Sequence, residues 1–335
     1  MRITYLLEGT ELFGGTKVAL RQANLLTERG HRVRVLAKGP RPSWLSIEAE
    51  FRQVESFETL RSSPEEVCVA TYWTTIRPAA ASGGVAVHYC QGYEGDYTHN
   101  VRDHRAIEDA YRTPLPAMTV APHLAELLRR RFAREACTVA QPLEPSFRPA
   151  RLRLRPRRPP RILVTGPFEI DWKGVETALR AVEILRQDGL SCELVRLSQW
   201  PAPEAERALL AADELHVGLS PERVAALVRG CDLLLAPSWE QEGFGLPVLE
   251  AMASGVPVVA SDIAPFRWFA HPAAALAPVR DPRSFAARAR EILTVPRAWR
   301  HHRRRGLDRA RRFTEERAGR EAEEALRRAL GGRAS

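Results

Sequence analysis

At 335 residues the chain is longer than a single hydrophobic core usually grows, so two domains are expected. Hydrophobic residues make up 44% and charged residues 27%, an ordinary globular composition, and no run approaches the ~18 apolar residues that cross a bilayer. The five cysteines (Cys68, Cys90, Cys137, Cys192 and Cys231) are scattered, with no C-x-x-C pair or zinc spacing, which argues against a disulfide framework and for free thiols in a reducing cytoplasm. The net charge of +9 admits nucleic acid, an acidic membrane face or phosphorylated substrates. Its excess lies in the runs 149–161 and 297–312. Neither shows aromatics interleaved for stacking bases, so nucleic acid is not expected, whereas peripheral contact with an anionic inner-membrane face stays open.

The elements alternate strand and helix. The opening MRITYLLEGTE lacks a signal-peptide core and reads as a strand over 3–7. A Gly14-Gly15 turn precedes a helix from about 16 to 28, Gly30 ends it, and a strand follows over 32–37. Further strands are expected at 67–72, 85–90, 118–120 and 138–140, with a helix over 122–132 between the last two. The Arg- and Pro-rich run 148–161 can continue neither helix nor sheet and marks a domain boundary at about 150/151.

The rhythm then restarts with a strand at 162–165, a helix at 175–187, a strand at 192–197 and a helix at 203–212. Next come a strand at 216–217, a helix at 221–228, a strand at 232–236, a helix at 246–253 and a strand at 256–260. Thr314 is expected to cap a last helix to about 330 that packs back on the first domain. Repeated β-loop-α units imply doubly wound parallel sheets, one in residues 1–150 and one in 151–313. Such sheets bind ligands in the loops beyond the strands' carboxyl ends, here residues 8–16, 91–97, 166–174 and 238–245.

The last loop carries most chemistry. After the strand comes S-W-E-Q-E-G-F-G-L-P-V-L-E. Gly243 and Gly245 permit close approach of backbone to a ligand, and Pro247 suits a helix's first turn. The N-terminus of that helix offers N–H groups and partial positive charge to an anion. Glu242 lies just before the helix and Glu250 is expected in its first turn, where a carboxylate is also favourable with no ligand at all. Only three of the fifty basic residues are lysine, and two of them, Lys17 and Lys173, lie beside glycines in these loops, where a compact cation suits a phosphate.

PSWEQEGFGLPVLEAMASGVPVVASD (residues 237–262) resembles the E-x7-E segment of GT-B glycosyltransferases, notably the large retaining family four. The resemblance implies the GT-B fold, two Rossmann-like domains with an interdomain cleft, and transfer of a sugar from a nucleoside-diphosphate sugar. It implies that Glu250 holds the donor ribose, that the amides of Phe244, Gly245 and Leu246 beside Gly243 face the diphosphate, and that Glu242 lies against the donor sugar. RILVTGPFEIDWKGVETALRA (161–181) is similar to the segment supplying basic residues to the diphosphate, with Lys173 matching the lysine but Pro167 where an arginine usually stands.

Residues 214–238 resemble the segment that cups the nucleobase, with the backbone of 216–219. VRLSQW (195–200) departs from the usual glycine-rich turn. In the first half, FGGTKVALRQANLLTERGHRVRVLA (13–37) resembles the glycine-rich loop, placing Gly14, Gly15 and Thr16 near donor phosphate and acceptor. His31 reads there as structural. Gln91, in HYCQGYEGDY, takes the place of a catalytic-loop histidine, as in a rhamnosyltransferase-like bacterial subset, and leaves His88 an open candidate.

The resemblance implies catalysis by Glu242, Lys173 and Gln91, no cofactor beyond the nucleotide sugar, no metal, and a cell-envelope glycan or lipid-linked acceptor. No D-x-D pair ends a strand; Glu94 and Asp96 flank Gly95 in the expected acceptor loop. A dinucleotide-dependent oxidoreductase lacks its G-x-G-x-x-G in Gly9–Thr16, and a P-loop has its lysine misplaced at Lys17. A catalytically silent nucleotide-binding module of the same fold stays open.

Overall fold

The computed structural model describes residues 1–149 and 153–332, and the expected boundary at 150/151 lies outside them. The chain divides into two compact units, one of residues 1–142 and 313–335, the other of residues 143–312. In the first unit β1 (Arg2–Leu7) leads to α1 (Gly14–Glu28), β2 (Arg32–Ala37), β3 (Glu50–Gln53) and β4 (Glu66–Ala70). Then follow α2 (Trp73–Ala81), β5 (Val85–Cys90), α3 (His104–Tyr111), β6 (Ala117–Thr119), α4 (Pro122–Phe132) and β7 (Ala136–Thr138). The seven strands form one sheet in the order β3-β2-β1-β4-β5-β6-β7, parallel throughout. β5 is buried at every residue, the pattern of a parallel strand covered on both faces.

α1 starts two residues earlier than its expected bound, so Gly14 and Gly15 belong to its first turn rather than to a turn before it. It buries Val18, Leu20, Ala23 and Leu26 on the sheet, and Gln22 on the same face accepts from the Tyr5 hydroxyl at 2.7 Å. β3, α2 and α3 had no counterpart in the sequence reading. Pro78 inside α2 removes one rung of its hydrogen-bond ladder and obscures its period.

The second unit runs β8 (Arg161–Thr165), α5 (Val175–Gln187), β9 (Glu193–Ser198), α6 (Glu204–Leu209), β10 (Glu214–Val217), α7 (Pro221–Arg229) and β11 (Leu233–Ala236). It continues with α8 (Leu246–Ala253), β12 (Val258–Ser261), α9 (Ala264–Phe269), β13 (Ala275–Ala277), α10 (Pro282–Thr294) and α11 (Pro296–Ala310). Its six strands are also parallel, ordered β10-β9-β8-β11-β12-β13. One face packs Leu179, Val182 and Leu185 of α5 with Phe285 and Ile292 of α10 and Trp299 of α11 over Val164, Leu235 and Val259. The order reverses between β8 and β11, so loops leaving these neighbouring strands diverge and open a crevice at their carboxyl ends.

Beneath that sheet Asp232 is fully buried. Its carboxylate takes the guanidinium of Arg153 and the backbone N–H groups of Arg157 (3.0 Å) and Arg161 (2.9 Å), and its carbonyl accepts from Trp299 Nε1 at 2.9 Å. Trp299, the aromatic inside the second basic run, is therefore unavailable for stacking on a base.

The chain then returns to the first unit as α12 (Glu315–Gly331), capped by the Thr314 hydroxyl, which accepts from Arg317 N at 3.1 Å. Ala318 packs with Leu25 of α1 and with Ala140. Glu323 of α12 meets Arg29 and Arg327, whose hydrogen bonds hold its carboxyl down at about 2. It also meets His31 at 3.2 Å, whose pKa burial and the N-terminal ammonium push down while Glu323 opposes them. Four of the five free cysteines are buried and Cys137 is half-buried. No described helix is long and apolar enough to cross a membrane.

Breaking the Asp232 cluster leaves Arg153 without its buried counter-charge. Asp232→Ala is expected to lower unfolding free energy by about 3 kcal/mol in urea titration, and a loss indistinguishable from zero would show the cluster dispensable.

Candidate functional site

The loops after β8 and β11 are joined by backbone before any side chain acts. Trp239 N donates to Trp172 O at 2.8 Å. Gly174, at φ +66, caps α5, and a Cβ there would lie 2.1 Å from the carbonyl oxygen of Pro237. Only glycine meets both the left-handed conformation and this approach. A short 3-10 turn, Asp171–Lys173, then aims the next side chain. The stem of Lys173 passes over Gly166, where a Cβ would be 3.5 Å from its Cγ, and its Nζ lies 4.0 Å from the Trp172 ring centre.

Lys173 Nζ donates to Glu242 Oε2 at 2.8 Å. Glu242 is 8% exposed, and its burial opposes ionisation. The Lys173 ammonium, the Ser238 hydroxyl and the backbone N–H of Phe244 outweigh that and hold its pKa below the usual carboxylate range. Lys173 and the Phe244 N–H, just before α8, are thus already engaged by the chain's own carboxylate. The Phe244 N–H faces Glu242, which the sequence reading had assigned to a ligand.

Gly245, at φ +91, sits at the cap position of α8, and a Cβ there would come 2.3 Å from the Phe266 ring. α9 supplies that ring and Phe269, which stacks on Phe244 at 4.3 Å between centroids, so an aromatic floor fixes residues 243–246. Pro247 is the second residue of α8. Glu250 is its fifth residue, so it lies in the second turn and not the first, and it is 8% exposed.

Two residues at this site had been missed. Arg196, the second residue of the departing VRLSQW segment, is fully buried under the β8 loop. Its guanidinium donates to Val164 O at 2.7 Å and Gly166 O at 2.8 Å, and pairs with Glu206 of α6 at 2.6 Å. Period-2 alternation placed position 196 in a strand interior but could not announce a buried ion pair. Arg280, in the loop before α10, lies 3.7 Å over the Trp239 ring and holds φ +60, rare for a side chain with a Cβ. It brings a second cation to the 237–245 segment, while Pro167 is buried without one.

Residues 216–219 run from the end of edge strand β10 into α7, with Gly218 N donating to Ser198 O at 3.1 Å and Val217 40% exposed. In the first unit Gln91, beyond β5, donates from Nε2 to Gly15 O at 3.0 Å, which joins it to the Gly14, Gly15 and Thr16 turn of α1. His88 is sealed in the sheet, edge-on to Tyr111 at 5.1 Å, and burial followed by the charge of Arg134 drives its pKa well down. Glu94 is also closed in, accepting from the Tyr111 hydroxyl, so it does not pair with Asp96 as ligands would. Among the described residues, no three His, Cys, Asp or Glu side chains converge as a metal site.

Residues 159–295 match the model of a family described as glycosyl transferases group 1. The chain is 37% identical over 120 residues to the MMP alpha-(1->4)-mannosyltransferase of Mycolicibacterium hassiacum, covering 34% of this chain and 28% of that one. It is 30% identical over 173 residues to the D-inositol 3-phosphate glycosyltransferase of Nocardia farcinica, covering 48% and 35%. A phosphatidyl-myo-inositol mannosyltransferase of Mycobacterium tuberculosis is 31% identical over 121 residues, 35% of this chain and 32% of that one. The matches therefore span about a third of these relatives' own lengths.

Solved structures align over nearly the whole chain. Anabaena HepE in complex with UDP and glucose gives a TM-score of 0.77 at 12% identity, covering 98% of this chain and 99% of that one. The sucrose-phosphate synthase of Thermosynechococcus elongatus gives 0.75 at 15%, covering 99% and 100%. Two parallel-sheet Rossmann-like domains matching these neighbours make the fold GT-B, and the family match supports a glycosyltransferase.

Two tests follow from the buried charges. Arg196→Met strands the Glu206 carboxylate and is expected to cost about 3–5 kcal/mol in denaturant unfolding. Arg196→Met with Glu206→Leu should recover most of that, yet amide exchange across residues 166–174 should stay faster, because two carbonyls have lost their donors. Parental exchange in the double variant would refute the latch. Separately, burial raises Glu94 to about 7 from the ordinary 4.5. A folded value above the unfolded one means stability present below pH 4.5 and lost as pH rises through about 7. Glu94→Gln should therefore gain stability over the parent at about pH 8 and not at about pH 4.5 in thermal melts; equal shifts at both would contradict the burial effect.

Proposed function

We propose that this chain transfers a sugar from a nucleoside-diphosphate sugar to a cell-envelope glycan or lipid-linked acceptor, with no metal and with retention at the anomeric carbon. The observation that carries the reading is the Lys173–Glu242–Phe244 arrangement at the mouth of α8, set in the crevice between β8 and β11. Cleaving the bond between the anomeric carbon and the phosphate oxygen leaves negative charge on the departing nucleoside diphosphate. Lys173 and the amide end of α8 stabilise charge where it develops, and a fixed donor of this kind is worth roughly 2.7–4 kcal/mol, about 10²–10³ in rate. A diphosphate entering the site competes with Glu242 for Lys173, which frees that carboxylate to meet the donor sugar.

Glu250, one turn along α8, takes the ribose, and the backbone of 216–219 takes the base. The amides of Gly245 and Leu246, with Gly243 before them, take the diphosphate, and Arg280 on Trp239 stands in for the arginine replaced by Pro167. Gly14, Gly15, Thr16 and Gln91 serve donor phosphate and acceptor. Retention and independence of metal rest on the E-x7-E resemblance, as does the rhamnosyltransferase-like affinity of the Gln91-Gly92-Tyr93-Glu94 loop. Mannosyltransferases and an inositol-phosphate glycosyltransferase among the relatives support a hexosyl donor and an envelope acceptor, with the reaction on the cytoplasmic side. A second reading, a nucleotide-binding module without turnover, is favoured by Pro167 and Gln91.

The test is release of nucleoside diphosphate from UDP-, GDP- and dTDP-sugars. The parent should hydrolyse one of them slowly. Lys173→Ala should slow release by about 10²–10³ and Glu250→Ala should weaken donor binding, both with parental melting temperature. Unchanged kinetics in both variants would remove the assigned site. Nucleotide binding with no turnover on any acceptor would favour the second reading.

A further inference from the structure

Several helical arginines on the described surface are neutralised within one turn. Arg317 and Arg320 of α12 pair with Glu321 and Glu324, Arg112 of α3 with Glu108, and Arg180 of α5 with Glu176. α11 instead gathers several unneutralised arginines on one face. Its sequence PRAWRHHRRRGLDRA places Arg297, Arg300 and Arg304 at i, i+3 and i+7, with His301 among them. All four are exposed on one face, and among the described residues none of the three arginines has an ion pair. Neighbouring carboxylates are engaged elsewhere, Asp308 with Arg311 and Glu291 with Arg288. Arg297 also stands in the first turn, where the positive end of the helix disfavours a cation and where no acidic residue answers it.

Opposite this face lies the segment of Arg153 and Leu154, whose carbonyl accepts from Arg300 at 3.2 Å. Together they bound an open groove of about 550 Å³ lined by five arginines, His301, Leu154 and Leu307, with no carboxylate in the lining. Arg153 and Arg303 are committed inside it, flanking the buried Trp299 ring at 5.4 and 5.6 Å. Partial burial, then the charges of Arg305, His302, Arg304 and Arg297, push the His301 pKa down, as concentrated positive potential requires. Two apolar side chains stand out beside these cations: Leu154, 57% exposed, and Val295, 45% exposed at the start of α11.

The three guanidinium groups without a carboxylate partner are spread over about 10 Å of helix axis, farther than one phosphate reaches but suited to repeated headgroups. Basic side chains flanked by exposed aliphatic ones are the composition of a helix lying in a membrane interface. We propose that this face of α11 docks on an anionic lipid bilayer, Arg297, Arg300 and Arg304 on headgroup phosphates, Leu154 and Val295 entering the interfacial layer. The site is independent of the donor chemistry at α8, so each can fail without the other.

The experiment is co-sedimentation of the full chain with vesicles of phosphatidylcholine alone or mixed in equal parts with phosphatidylglycerol. The parent should bind only the anionic vesicles, and added salt should weaken binding. Arg297→Gln, Arg300→Gln and Arg304→Gln together should lower partitioning at least about tenfold, with melting and UDP binding as in the parent. Leu154→Ser, a change at an exposed position, should lower it independently, and Arg317→Gln with Arg320→Gln on α12 should not. Absence of binding by the parent, parental binding by the triple variant, or equal loss in the α12 pair would overturn the proposal. So would salt-insensitive binding, or capture of inorganic pyrophosphate or duplex DNA in place of vesicles.

Discussion

A positive side chain and a negative one, held 2.8 Å apart by two loops whose backbones already touch, is the constraint from which the second unit's site follows. Lys173 and Glu242 lie in the loops that leave adjacent strands, β8 and β11, of a sheet whose order reverses between them. The reversal opens the crevice, and the two loops meet where Gly174 passes close to the Pro237 carbonyl. Without that contact the ammonium and the carboxylate would each be solvated separately, and a buried Glu242 would favour its protonated form.

The support beneath the site is paid for in buried charge. Arg196 with Glu206 lies directly under the β8 loop, and Asp232 with Arg153 lies at the opposite end of the same sheet region. Such pairs add little to net stability compared with apolar side chains of similar size, because desolvation cancels most of their attraction. What they supply is position. Arg196 ties two carbonyls, one inside β8 and one at its exit, so the loop leaves the strand in one direction. The aromatic floor of Phe266 and Phe269 does the same for residues 243–246 by packing alone.

The charge of +9 is unevenly spent. Arginines facing carboxylates one turn away stitch helices to themselves or, through Glu323 and Arg29, α12 to α1. Arg297, Arg300 and Arg304 of α11 have no such counterpart among the described residues, and their arrangement beside exposed aliphatic groups distinguishes them from a generally basic surface. The first unit shows the opposite economy. His88 and Glu94 lie in the sequence where chemistry is expected, yet both are enclosed around Tyr111, leaving Gln91 as the side chain that reaches the glycine turn of α1.

The sequence by itself determined the alternation of strand and helix and the parallel sheets, because apolar strand runs such as LLLA and VVAS and capped helices are local patterns. It also marked the two loops with Lys173 and Glu242, because glycines and a proline at fixed offsets record backbone needs. Tertiary structure alone decided what no local window contains: that Glu242 takes Lys173, and that position 196 holds a buried guanidinium. It also decided that His88 is walled in and that α11 keeps one face unneutralised. Each of these depends on partners distant in the chain, and burial and charge pairing are properties of such partners rather than of the residue itself.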